Sequence, residues 1–161
     1  SISGTVGAAM EGAMFGIPAL AVSQETDSSF FYSYSSEVDF AMAGHFTAAF
    51  ARWLLEGHRI PDLHVLNVNV PLGATPETPW RVTRLSHHRY YVPIPPKRDR
   101  LDVPGRVGYE VRLPDELEED SDVRALRVDR VVSVTPLSLD QTSRVDPRVL
   151  TQRLEQLERR G

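Results

Sequence analysis

Cysteine is absent from the 161 residues, so neither a disulfide framework nor a thiolate metal site can form, and a reducing, cytoplasmic location is the expectation. An excess of one charge is missing as well. The 18 basic residues face 22 acidic ones, and a net charge of -4 supplies no basic stripe for a nucleic-acid duplex. Long hydrophobic runs are also lacking: the most apolar stretch, 13–22, is broken by Gly16 and Pro18 and falls short of the roughly 20 residues needed to cross a bilayer. There is no internal repeat and no low-complexity tract. The chain opens at Ser1 without methionine, and no basic segment precedes an apolar one, so the start reads as a cut within a longer protein rather than a signal peptide.

What is present is a globular composition, 41% hydrophobic and 25% charged, in a length that favours one domain. Val6, Ala9, Met10, Ala13 and Met14 recur at helical spacing, with Gly16 and Pro18 behind them as stop signals. Ile17 to Ser23 reads as a strand buried on both faces, and 24–36, rich in serine, as a loop. From Val38 to Leu54 an apolar stripe that includes His45 predicts a long helix ending at Gly57. The run His64 to Val70 alternates like a strand closed by Pro71. Helix, strand, helix, strand with short links is the pattern of a layered α/β sheet.

Farther on, Tyr90, Val92 and Ile94 pair naturally with Val107, Tyr109, Val111 and Leu113 as a projecting β-hairpin, its tip from Lys97 to Arg106 mixing bases with acids. The residues from Asp115 to Asp122 form an acidic loop. Val131 to Thr135 is a strand ended by Pro136, and Asp146 followed by Pro147 starts a final helix with a narrow stripe of Leu150, Leu154 and Leu157. The expected organisation is a single unit over 1–161: core 1–79, hairpin arm and acidic loop 80–122, core strand and turn 123–143, and helix 144–161.

Ser3-Gly4-Thr5 at the mouth of the first helix carries the chemistry. A first turn leaves backbone N–H groups unpaired and carries partial positive charge, glycine lets a ligand approach, and two hydroxyls can donate to phosphate oxygens. Alone, a serine before a helix is more often a simple N-cap. The fuller string Ser3-Gly4-Thr5-Val6-Gly7-Ala8-Ala9-Met10-Glu11-Gly12, then Gly16-Ile17-Pro18-Ala19, closely resembles the SurE family. Three further segments agree in order: 66–71 (Leu-Asn-Val-Asn-Val-Pro), 121–126 (Ser-Asp-Val-Arg-Ala-Leu), and 132–137 (Val-Ser-Val-Thr-Pro-Leu) with Asp140 and Thr142.

The resemblance implies a Rossmann-like three-layer α/β core, here its carboxyl-terminal portion, and a 5'-nucleotidase that releases phosphate from nucleoside monophosphates with a divalent cation, Mg2+ or Mn2+. In the family that metal is held by an Asp-Asp pair, a serine and an asparagine on segments expected upstream of Ser1, so no metal ligand and no catalytic acid is assigned within this chain. Ser3, Gly4 and Thr5 match the part of the family site beside the phosphate. Two departures stand out: Ile2 occupies a position that is often aromatic, and Arg130-Val131 replaces a common Gly-Tyr pair. As it stands the chain could instead be a non-catalytic binding or assembly piece. The resemblance also implies a homodimer or homotetramer, built through the final helix and through the Tyr109 face of the hairpin.

Other residues have plainer readings. His87 and His88, adjacent on a strand, would point to opposite faces and do not suit one metal. His45 is expected in the core, His58 and His64 at the surface, and Glu11 as a surface carboxylate or a cross-helix ion pair. Asn67 and Asn69 share a strand face and either tie loops together or line a substrate cleft. Asp122, Asp140 and Thr142 fit turns and caps.

Overall fold

The computed structural model describes residues 3–27, 30, 38–57, 59–88, 90–105 and 107–158, with side chains of 157 and 158 excepted. Its elements are α1 (Gly4–Met14), β1 (Ala19–Gln24), α2 (Ala41–Leu55), β2 (Val65–Val70), β3 (Trp80–Val82), β4 (Tyr91–Ile94), β5 (Gly108–Val111), α3 (Asp122–Arg127), β6 (Val132–Leu137) and α4 (Pro147–Glu158). Four strands form one sheet in the order β1-β2-β6-β3. β1 and β2 are parallel, β6 runs antiparallel to β2, and β3 is parallel to β6. β4 and β5 pair separately as an antiparallel ribbon, with Tyr91 opposite Val111 and Pro93 opposite Tyr109.

Alternation along the strands explains the layering. Leu66, Val68 and Val70 of β2 join Val132 and Val134 of β6 and Phe46 of α2 in one core, against which Met42, Phe50 and Trp53 pack. The opposite face carries Ala21, Val65 and Leu137 against Ala13 of α1, with Val6, Ala9 and Met10 around them. Helices therefore cover both faces of β1 and β2. Val68, Val70 and Val132 are completely buried, and each such side chain stabilises the fold by about 1.5–3 kcal/mol.

Several expectations shift. β1 begins at Ala19 instead of Ile17, and Ile17 is exposed. α2 begins at Ala41, where Asp39 Oδ1 accepts from the Ala41 N–H at 2.7 Å. His45 is exposed rather than part of the core, its ring set edge-on against Phe46. Pro136 does not end β6 but lies within it opposite Leu66. β3 reaches no farther than Val134, so no ladder partner there demands the N–H that proline lacks. Trp80–Val82, expected in the arm segment, is an edge of the main sheet.

A short helix was missed altogether. Ser121 caps α3 by accepting from the Arg124 N–H at 3.2 Å, and Val123 and Ala125 are buried. Six residues are too few to show helical periodicity. The final helix starts as expected, with Asp146 Oδ1 accepting from the Arg148 N–H at 2.9 Å. Most of the serine-rich segment 24–36, together with His58 and Arg106, lies outside the described residues.

Candidate phosphate-binding site

Gly16 adopts φ 75°, a conformation that costs glycine little, and turns the chain so that α1 returns alongside β1. Eleven helical residues span about 16 Å and six strand residues about 20 Å. Ser3 therefore stands at the edge where β1 and β2 end, which is the edge used for ligands in open α/β sheets. Glu25, just past β1, and Leu72, just past β2, share it.

At the helix mouth, Ser3 is extended (φ -69°, ψ 126°) and its Oγ accepts from the Val6 N–H at 3.4 Å. That is longer than the usual N–H···O range of about 2.7–3.2 Å, so the cap bond is weak and the hydroxyl is not consumed by it. The Ser3 carbonyl accepts from the Gly7 N–H at 2.8 Å. The Gly4 and Thr5 N–H groups donate to no described residue, and Ser3, Gly4 and Thr5 are all exposed. A Cβ built on Gly4 would meet nothing within 4 Å. The mouth is open, and no described residue takes these donors, an arrangement that suits an anion.

A dense ion network lies on the same edge. Arg127 Nη1 donates to Glu25 Oε1, while Arg130 Nη1 reaches Glu25 Oε2 at 2.6 Å and the Leu72 N–H donates to that oxygen at 3.0 Å. Burial, the largest single influence, pushes the Glu25 carboxyl up. The Leu72 N–H, the Arg130 hydrogen bond and the two guanidinium charges together outweigh it and hold the carboxyl below its ordinary range. Arg127 also donates to Tyr91 Oη at 3.4 Å and lies over the Tyr90 ring at 5.9 Å, tying the base of the β4–β5 ribbon to this edge. Burial, then the neighbouring Tyr91, pushes the Tyr90 phenol up to about 12. No pattern in the sequence marked Glu25, Arg127 and Arg130 as partners, because about a hundred residues separate the acid from the bases.

Between α1 and α3 the sheet face is polar. The Thr83 hydroxyl meets Ser133 Oγ at 2.8 Å and Thr135 Oγ1 at 2.7 Å, and all three residues are buried. Asn67 lies opposite Thr135 and Asn69 opposite Ser133. Neither amide side chain bonds to another described residue, although Asn67 is buried.

The remaining candidates serve local structure. Asp122 Oδ1 accepts from the Ser86 and Val123 N–H groups at 2.9 and 2.8 Å, and Asp140 Oδ1 accepts from the Thr142 N–H at 2.8 Å. Contacts with Thr142 hold the Asp140 carboxyl below its ordinary range. The backbone N–H of His87 donates to Glu118 and that of His88 to Ser86. His64 is half-buried rather than exposed, and its Nδ1 accepts from the Leu139 N–H at 3.2 Å. Glu11 is exposed. Among the described residues no three His, Asp or Glu side chains converge as a metal site would require. These described residues do not by themselves fit the family's metal.

Fold and site together define an α/β protein with an open helix mouth at the edge of its sheet where β1 and β2 end. The sequence model of the family described as Survival protein SurE matches residues 1–92, more than half of the chain. The chain belongs to the SurE family. It is 40% identical over 148 residues to the 5'-nucleotidase SurE of Thermococcus gammatolerans, covering 91% of this chain and 54% of that protein. It is likewise 40% identical over 147 residues to the 5'-nucleotidase SurE of Methanocella arvoryzae, covering 88% and 53%. The crystal structure of the SurE protein from Aquifex aeolicus superposes with a TM-score of 0.61 at 30% identity, covering 97% of this chain and 58% of that one. The chain spans about half the length of the curated relatives it matches. No helix among the described residues is long and apolar enough to cross a membrane.

Proposed function

We propose that these residues are the phosphate-gripping part of a divalent-metal-dependent 5'-nucleotidase that releases phosphate from nucleoside monophosphates. The observation that carries this reading is the helix mouth: two backbone N–H groups without a described partner, two exposed hydroxyls, and open space over Gly4. The names of the relatives supply the reaction class. In this reading Ser3, Gly4 and Thr5 hold the nonbridging phosphate oxygens and orient the ester, donors already in place as negative charge develops. A cation, Mg2+ or Mn2+, would supply an activated water and further charge neutralisation, held by segments other than these 161 residues. The test is phosphate release by the complete protein from nucleoside monophosphates, with sugar phosphates compared, across common divalent metals. Absence of release with every metal overturns the proposal.

The chain by itself, on the same reading, binds without turning over. Turnover by the 161-residue chain would overturn it. The location proposed is cytoplasmic, in keeping with the absence of cysteine.

Assembly is part of the same proposal. α4 packs extensively against no other helix or strand among the described residues, and Leu150 and Leu154 are about half exposed. The ribbon likewise turns Tyr109, 59% exposed, to the outside. Unpaired apolar faces of this kind are normally covered. The proposed cover is a second copy of the chain on α4 in a homodimer, with the Tyr109 face of the ribbon as the further contact of a homotetramer.

A further inference from the structure

The amides of Asn67 and Asn69 on β2 tie no loops together, since neither side chain bonds to another described residue. Register sets Ser23, Asn69 and Ser133 in one row across the sheet and Ala21, Asn67 and Thr135 in the row behind it. Both rows lie on the face that α1 and α3 flank. Asn67 keeps only 6% of its surface. Among the described residues, the enclosed side-chain nitrogens without a partner are those of Arg81 and Arg127, so the Asn67 amide opens onto space instead of being packed shut.

α1 brings the helix mouth to the level of the first row. Ala13 packs with Ala21, Val65 and Leu137 near the start of β2, and from there to Ser3 the helix rises about 15 Å, roughly the length of four to five strand residues. Asn69 lies four residues past Val65 on β2. The row itself carries no charge, and the charges that flank it are spent on one another: Arg81 meets Asp129 at 2.6 Å, and Glu25 meets Arg127 and Arg130. A carboxamide both donates and accepts, as an alcohol hydroxyl does. The row therefore suits a neutral, hydroxyl-bearing group beside the phosphate.

We propose that Asn69 binds the ribose hydroxyls of the nucleotide whose phosphate rests at Ser3-Gly4-Thr5, while Asn67, enclosed behind it, keeps the floor of the cleft polar. The inference takes its ligand from the phosphatase reading and rests on it. Ribose is the part of a 5'-nucleotide that adjoins the phosphate, and its 2' and 3' hydroxyls each donate and accept. An amide without a protein partner gains a hydrogen bond from them and is left unpaired when they are missing, so a site of this kind rejects the analogue that lacks the hydroxyl.

Phosphate release by the complete protein from adenosine 5'-monophosphate, its 2',3'-dideoxy analogue and phenyl phosphate tests it, in the parent and in Asn69→Ala. The parent should prefer the ribonucleotide over the dideoxy analogue by roughly tenfold or more in kcat/KM. The variant should lose most of that preference, falling on the ribonucleotide while changing by no more than about twofold on phenyl phosphate. A parent indifferent to the missing hydroxyls, a preference that the variant keeps, or an equal loss on every ester, as a purely structural role would give, overturns the proposal. Adenosine, which has no phosphate, separates this inference from the reading beneath it: the Asn69 side-chain amide resonances of the parent should shift with adenosine and not with 2',3'-dideoxyadenosine, whether or not any ester is turned over. A shift with neither nucleoside, or with both alike, overturns the proposal, whereas a ribose-dependent shift without phosphate release overturns the phosphatase reading alone.

Discussion

Arg130 reaches the Glu25 carboxylate at 2.6 Å from a backbone in the left-handed region, φ 55°. Glycine, which the family resemblance puts at this position, would adopt that conformation without strain, while arginine accepts the strain and gains Glu25, the Leu72 carbonyl at 2.6 Å and the Leu126 carbonyl at 3.2 Å. Arg130→Ala keeps the strained backbone and loses the contacts, so it should destabilise the fold by about 1–2 kcal/mol. Arg130→Gly removes the strain and should recover about 1 kcal/mol of that loss. Urea denaturation distinguishes the two, and equal stability of both variants would show that the backbone strain carries no energy.

Glu25 makes the fold sensitive to acid. Its folded pKa lies below the ordinary 4.5, so its stabilisation is fully present above that value and is lost as pH falls through the depressed one. Glu25→Gln should lower stability at neutral pH and flatten the acid limb of the stability curve. An acid limb unchanged by the substitution would assign the acid sensitivity elsewhere.

Thr83 is the shared partner of Ser133 and Thr135, in a place without exposure to solvent. Thr83→Val removes one hydroxyl and leaves the buried Ser133 and Thr135 hydroxyls only their long mutual contact at 3.4 Å, which should cost about 1–3 kcal/mol. Thr83→Ser keeps the hydroxyl and should cost less. Thermal unfolding of the pair reads the difference, and equal loss in both would attribute the effect to packing.

Ser3→Ala separates capping from phosphate contact. The cap bond, at 3.4 Å, is weak, so stability should fall by no more than about 1 kcal/mol. On the proposed role, kcat/KM of the complete protein toward nucleoside monophosphates should fall by roughly tenfold or more, equivalent to about 1.4 kcal/mol of transition-state stabilisation. Retained activity with a lost melting temperature would reduce Ser3 to a cap.

Leu154→Glu tests the assembly proposal, because Leu154 is 53% exposed on a helix without an extensive described contact. Light scattering of the complete protein should show a dimer that the substitution dissociates. A monomeric parent, or a dimer indifferent to the change, removes α4 from the interface.

Much of the architecture was written locally. The 3.6-residue period of Val6, Ala9, Met10 and Ala13, the stop at Gly16, the alternation around Val68, and Asp146-Pro147 before α4 all depend on neighbours within one or two turns, and each gave an element of the expected type. The same locality made Ser3-Gly4-Thr5 legible as a helix mouth. Where period and exposure part company, as at His45, the stripe misled, since a residue on the margin of an apolar face can lie either side of the boundary. Pro136 misled for a similar reason: a proline is excluded from a ladder only where a partner needs its N–H, and the extent of β3 decides that.

The sequence by itself therefore determined most of the elements, the starts of α1 and α4 and the helix mouth at Ser3, all of which follow from torsional preference and side-chain spacing. Tertiary structure alone decided that Glu25 meets Arg127 and Arg130 and that Thr83 joins Ser133 and Thr135. Those pairings join residues distant along the chain and follow from sheet order and register, which no local preference encodes.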